Sequence, residues 1–281
     1  MSLILKWLES LSIDQTITDR CSRQVSPKST CTTCIEHCDT EALTLVENKI
    51  KLDVNKCDSC GECIIACPIA SISGTVPSRT IKNGKLYYEP HFCPTLKELL
   101  ILRKRGLKGI AIPSEWNDEQ WEKVIAETNE VLTKLEMTPL VFVKAEAVKE
   151  QALTRRELFT TARTRSQSLA KELAPAAWRQ NPNAWSLPHY YQDIQFYQVE
   201  LDLDQCSFCG SCFTLCKQGV FDQSETELSI DNQKCTNCKL CSDACPEGAI
   251  SVSERLGART VEVHQVFTWQ VQALQVNVPF I

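Results

Sequence analysis

No apolar run in this 281-residue sequence approaches the roughly 20 residues that a membrane-spanning helix needs; stretches such as residues 99–102 are among the longest. An export leader is not expected either, because Lys6, Glu9, Asp14 and Asp19 break any apolar core within residues 1–20. Membrane association is then expected only through a partner. The middle of the chain has neither G-x-G-x-x-G nor G-x-x-x-x-G-K-S/T, so it offers no motif for a dinucleotide or a nucleoside triphosphate. Four histidines, His37, His91, His189 and His264, are scattered without a catalytic constellation, and no catalytic residue is assigned. Positive charge is in deficit: 30 Lys and Arg against 35 Asp and Glu leave −5, which disfavours nucleic acid as the main ligand. What remains is an ordinary globular composition, 43% hydrophobic, at a length that suits roughly two or three domains.

Against these absences stand 17 cysteines. In a secreted chain they would suggest a disulfide framework; without a leader they suggest thiols kept reduced for metal, and a cytoplasmic location is expected. Eight of them fall as Cys206, Cys209, Cys212, Cys216 and Cys235, Cys238, Cys241, Cys245, each half reading C-x2-C-x2-C-x3-C. Shifted back by 178 positions, seven of the eight land on Cys31, Cys34, Cys38, Cys57, Cys60, Cys63 and Cys67. Asp231, Lys234, Ala244, Pro246 and Ile250 follow them onto Asp53, Lys56, Ala66, Pro68 and Ile72. Such agreement at one offset reads as an internal repeat of a whole module. Cys206 breaks step, falling on Lys28, while the available thiol is Cys21, seven residues earlier; a loop insertion accounts for the difference.

Residues 206–246 resemble the two-cluster bacterial ferredoxins, cysteine by cysteine and including the proline after Cys245. The resemblance implies four [4Fe-4S] clusters, with the fourth cysteine of each half ligating the neighbouring half's cluster. Quartet A would then be Cys21, Cys31, Cys34 and Cys67, and quartet B Cys57, Cys60, Cys63 and Cys38. Quartet C would be Cys206, Cys209, Cys212 and Cys245, and quartet D Cys235, Cys238, Cys241 and Cys216. Two departures stand in the first half: nine residues separate Cys21 from Cys31, and Asp39 replaces the proline after the fourth cysteine, as Lys217 does in the second module. The alternative for quartet A leaves Cys21 a buried free thiol and the centre three-iron or absent. His37 and Asp39 are read as local hydrogen-bonding groups. Gly61 and Gly210 suit a backbone at positive φ around the cluster, and Cys93 reads as an apolar-like cysteine.

The expected fold class is α+β: two ferredoxin-like dicluster modules flanking a small α/β unit with a helical connector. The boundaries run as an N-terminal helix over 1–20, module one over 21–75, the α/β unit over 76–145, and a helical connector and linker over 146–195. Module two follows over 196–253 and a C-terminal extension over 254–281. The N-terminal helix carries Leu3, Ile4, Trp7, Leu8 and Leu11 on one face. Asn83-Gly84 predicts a hairpin, and a strand–helix–strand–helix–strand order to residue 143 predicts parallel pairing, with Asn117 capping the second helix. Thr154 and Glu157 form a capping box that starts a further helix. Residues 175–191 read as an irregular linker, and 260–267 as a strand.

With about −2 added by each oxidised cluster and its thiolates, the loaded chain carries about −13. Basic docking surfaces on donor and acceptor oxidoreductases are therefore the expected partners, and Asp58, Glu62, Asp243 and Glu247 favour low potentials. The expected function is relay of single electrons by a carrier or subunit without catalysis of its own. The alternatives are a zinc-organised interaction protein, or a reductase with a flavin or substrate site in the middle unit.

Overall fold

The computed structural model describes residues 15–145 and 183–265, apart from Thr75, Ser78, His91, Glu225 and Thr226. The helical face at Leu3–Leu11, the helix begun at Thr154, and residues 175–182 and 266–281 lie outside the described residues.

The first cysteine-rich region is threaded through two short antiparallel pairs. Strand β1 (Thr16–Ile17) runs within the segment expected to be helical, because Ile17 pairs with Ile72 of β4 (Ile72–Ser73) and joins that region's core. Between them lie α1 (Ser22–Val25), α2 (Thr33–Glu36), the hairpin β2 (Leu43–Val46) and β3 (Lys49–Leu52), and α3 (Glu62–Ala66). The hairpin turns on Glu47 and Asn48, both at positive φ, as a two-residue primed turn requires.

The middle unit follows the predicted order. Strands β5 (Ile81–Lys82) and β6 (Lys85–Tyr87) are joined at Asn83 (φ 53°) and Gly84 (φ 72°), after which β6 pairs in parallel with β7 (Gly109–Ile112), and β7 with β8 (Val141–Lys144). Helix α4 (Leu96–Lys104) connects β6 to β7, and α5 (Glu119–Lys134) connects β7 to β8. Leu99, Leu100 and Ile101 of α4 and Trp121, Ile125 and Leu132 of α5 close over Leu86 and Ile110 of the sheet. The Thr95 hydroxyl caps α4, accepting from Glu98 N–H. At α5 the cap is Asp118 rather than the expected Asn117: its Oδ1 accepts from Gln120 and Trp121 N–H, and a carboxylate there also faces the positive end of the helix dipole. Helix α4 ends at Gly106 (φ 103°), where Leu107 N–H reaches back to Leu102 C=O.

The described part of the linker is more regular than its composition suggested. Leu187–Tyr190 forms one helical turn, α6, with Pro188 in its first turn, where a missing N–H costs nothing. Its aromatics lie on the middle unit. Tyr191 donates to Leu100 C=O at 2.9 Å, Lys104 sits 4.6 Å over the Tyr191 ring, and Arg105 sits 4.5 Å over Trp185 and 5.2 Å over Tyr190. Lys104 and Arg105, at the C-terminal end of α4 where cations meet the negative end of the helix dipole, thus also hold the linker.

The second cysteine-rich region has longer strands. Here β9 (Ile194–Leu201) precedes α7 (Ser211–Leu215), β10 (Phe221–Gln223), β11 (Glu227–Asp231), α8 (Leu240–Ala244), β12 (Ile250–Ala258) and β13 (Val261–Gln265). β12 pairs with β9, and β13 adds to β11, so residues 254–265 continue the sheets of this region rather than forming a separate extension. The offset of 178 holds in three dimensions. Leu43 faces Leu52 as Phe221 faces Ile230, and α3 starts and ends 178 positions before α8.

Candidate metal centres

Three of the four half motifs curl the backbone with the same device. Between the first and second cysteines of three halves, Ser59, Phe208 and Asn237 lie at φ 61°, 57° and 57°; just after the second cysteine, Gly61, Gly210 and Lys239 lie at φ 79°, 74° and 57°. Two left-handed residues in this short span turn three cysteines toward one point. Three residues past the fourth cysteine a further left-handed residue recurs in all four halves: Glu41, Ala70, Gly219 and Gly248. The exception is the half containing Cys21. There the inserted residues fold as α1, with Cys21 at its N-cap position and 8% exposed, so that the thiol is delivered by a helical turn rather than a tight loop.

Two cavities show what these turns assemble. One is lined by Cys21, Cys31, Cys34 and Cys67 together with Ile17, Ile50, Ile69 and Ile72. The other is lined by Cys206, Cys209, Cys212 and Cys245 with Leu201, Phe213, Leu228 and Ile250. In both, three thiols come from one half and the fourth from the other, the crossed arrangement of quartets A and C. For B and D the electrostatic neighbours include the same crossed partners: Cys63 feels Cys60, Cys34, Cys38 and Cys57, the second of these from quartet A, and Cys241 feels Cys238, Cys235 and Cys216.

The donor chemistry fits an iron–sulfur cube. Burial pushes the Cys34 and Cys238 thiols up to about 12 and those of Cys60, Cys212 and Cys235 up to about 11; Cys63 and Cys241 are raised further. Thiolates in such apolar pockets need a compensating cation, which bound iron supplies. A single zinc ion, with Zn–S near 2.3 Å, needs its four sulfurs about 3.8 Å apart. Among the described residues no group of three or more His, Cys, Asp or Glu is placed to hold a metal ion, and the thiols of quartets A and C line a cavity each. Backbone N–H groups approach two of the remote sulfurs: Ser71 N–H lies 3.2 Å from Cys67 Sγ, and Ala249 N–H 3.3 Å from Cys245 Sγ, again at matching positions.

His37 Nδ1 bonds Thr33 C=O at 2.9 Å, a local role as expected. Cys93 is half-buried, its thiol pushed up to about 12 by burial; it lines an acidic groove with Asp39, Asp58, Glu62 and Asp118. The acidic residues near ligands are mostly engaged: Asp58 accepts from Cys60 N–H at 3.0 Å, and Glu62 pairs with Arg79 at 2.6 Å. Sequence reasoning missed two cations, one buried and one half-buried. Arg23, 6% exposed, donates to Cys31 C=O and to Asn48 Oδ1. Lys97 donates to Cys67 C=O at 2.9 Å, its pKa lowered by burial. In both, a partner is the carbonyl of a cysteine in quartet A, a group no spacing pattern reveals.

Residues 228–251, which contain Cys235, Cys238, Cys241 and Cys245, match the family described as a 4Fe-4S binding domain. The match indicates a ferredoxin-type iron–sulfur module in the C-terminal part of the chain. No curated protein matches the chain. Among the described residues no helix is long and apolar enough to cross a membrane.

Proposed function

We propose that the chain is an electron-transfer protein with four [4Fe-4S] clusters in two dicluster modules, acting as a cytoplasmic carrier or as the iron–sulfur subunit of an oxidoreductase. The observation that carries this reading is the pair of apolar cavities, each lined by four thiols drawn from two separate half motifs. Bound clusters supply reversible one-electron chemistry over a wide range of potentials. The chain supplies the rest. Its left-handed loops fix the thiols, its isoleucines exclude water, and N–H groups at Ser71 and Ala249 stabilise sulfur charge. The acidic surface favours donors and acceptors with basic faces. No nucleophile or general base enters the proposal, and the middle unit serves as the packing platform between the modules. Anaerobically purified protein is expected to be brown, to bleach on reduction with dithionite and to give low-temperature EPR signals of reduced [4Fe-4S] centres. A colourless protein with stoichiometric zinc, or a yellow flavin chromophore with substrate turnover, would replace this reading with one of its alternatives.

A further inference from the structure

Ligand-bearing segments of the two cysteine-rich regions meet directly. The backbone N–H of Thr30 donates to Asp243 Oδ2 at 2.6 Å, and the Thr30 hydroxyl donates to the same oxygen at 2.9 Å. Thr30 immediately precedes Cys31 of quartet A. Asp243 lies on α8, two residues from Cys241 of quartet D. Cys238, also of quartet D, packs against the core of the first region, and the Cys31 and Cys238 thiols fall within electrostatic range of each other. Trp185 packs on both the first region's core and that of the middle unit. Two carriers merely tethered through a linker would not need a charge-assisted pair of hydrogen bonds between ligand loops, a geometry stronger than a neutral bond.

We propose that the Thr30–Asp243 clamp holds quartets A and D as an electron-transfer junction, so that the chain conducts as one line in the order B, A, D, C rather than as two separate two-centre carriers. This rests on the four-cluster reading above. At the junction one electron leaves the centre held by Cys21, Cys31, Cys34 and Cys67 and is gained by the one held by Cys216, Cys235, Cys238 and Cys241, or the reverse. No bond or proton changes, and an external one-electron donor such as dithionite supplies the charge. Thr30 and Asp243 are positioning residues in this scheme. The outer ends are then quartet B and quartet C, the latter with Cys209 exposed at the surface.

The test uses the full chain, with iron and acid-labile sulfide counted alongside low-temperature EPR of the dithionite-reduced protein. The wild type is expected to show spin–spin interaction that Asp243→Ala reduces at unchanged iron and sulfide content, while Asp243→Asn, which keeps an acceptor for Thr30, retains it. Should Asp243→Ala lose iron, Thr30→Val, which removes only the hydroxyl bond, is read the same way and is expected to weaken the interaction partly. Full iron content with identical spectra for wild type and the clamp variants overturns the junction and leaves the four-cluster reading intact. An iron content short of four centres overturns both.

Discussion

Arg79 is the side chain on which the seam between the first cysteine-rich region and the middle unit turns. Its Nε and Nη2 make a two-point pair with the fully buried Glu98, both at 2.8 Å, and Nη2 also reaches Glu62 on α3 at 2.6 Å. Removing the guanidinium strands a buried carboxylate, so Arg79→Met is expected to cost about 3–5 kcal/mol in chemical denaturation, and adding Glu98→Leu to recover much of that loss. A loss below about 1 kcal/mol would show that the pair is not a structural tie. A second prediction at this scale concerns Lys239, which occupies the left-handed position that Gly61 and Gly210 fill elsewhere. Lys239→Gly relieves that strain, partly offset by chain entropy, and should stabilise the loop by about 0.5–1 kcal/mol, seen as a higher denaturation midpoint with unchanged iron content. The two glycines were legible in the sequence because glycine advertises positive φ. Ser59, Phe208 and Lys239 adopt it too, and nothing in their side chains announces it; Asn237, of a type that tolerates the left-handed region, is a weaker signal. Arg23 and Lys97 were hidden for a related reason: as letters they are surface cations.

The elements divide by what fills their cores. Four of the buried residues in the first region's core are cysteines proposed above as ligands, Cys21, Cys34, Cys63 and Cys67, whereas the fully buried members of the middle unit's core are aliphatic or aromatic. Stripping the clusters with acid and chelator is therefore expected to abolish hydrogen-exchange protection across residues 15–74 and 194–265 while α4 and α5 stay protected; uniform loss would show one cooperative core. The strap at Tyr191 adds a pH dependence. Burial pushes its phenol up to about 12, above the ordinary value of about 10, so the neutral form is favoured when folded. That contribution is fully present below about pH 10 and is lost as pH rises through about 12. Tyr191→Phe should flatten the alkaline fall in stability measured by urea unfolding; an unchanged slope would exclude the phenol as its source. Asn83-Gly84 and the alternation of strands and helices made this unit readable in advance. The Asp118 cap was missed because two adjacent residues, Asn117 and Asp118, both suit the position, and α6 was missed because proline and aromatics mask a single helical turn.

For the whole molecule, the 178-residue offset was visible because sulfur ligands cannot drift in register, and the strand pairings at Leu43–Leu52 and Phe221–Ile230 follow it. The insertion after Cys21 was visible only as a length; that it folds as α1 and returns the thiol to its quartet depends on contacts to Cys31 C=O and Asn48 that lie far along the chain. The placement of the two cysteine-rich regions against each other left no trace in composition or spacing, since its polar contact is between a single threonine and a single aspartate and Cys238 packs alongside. The central claim is that four crossed quartets each hold a cube, and iron with acid-labile sulfide, counted per chain in anaerobically prepared protein, tests it most directly. About four irons and four sulfides for every quartet, including the one built on Cys21, is the predicted result. Stoichiometric zinc, or iron sufficient for only the quartets of the second region, would contradict it.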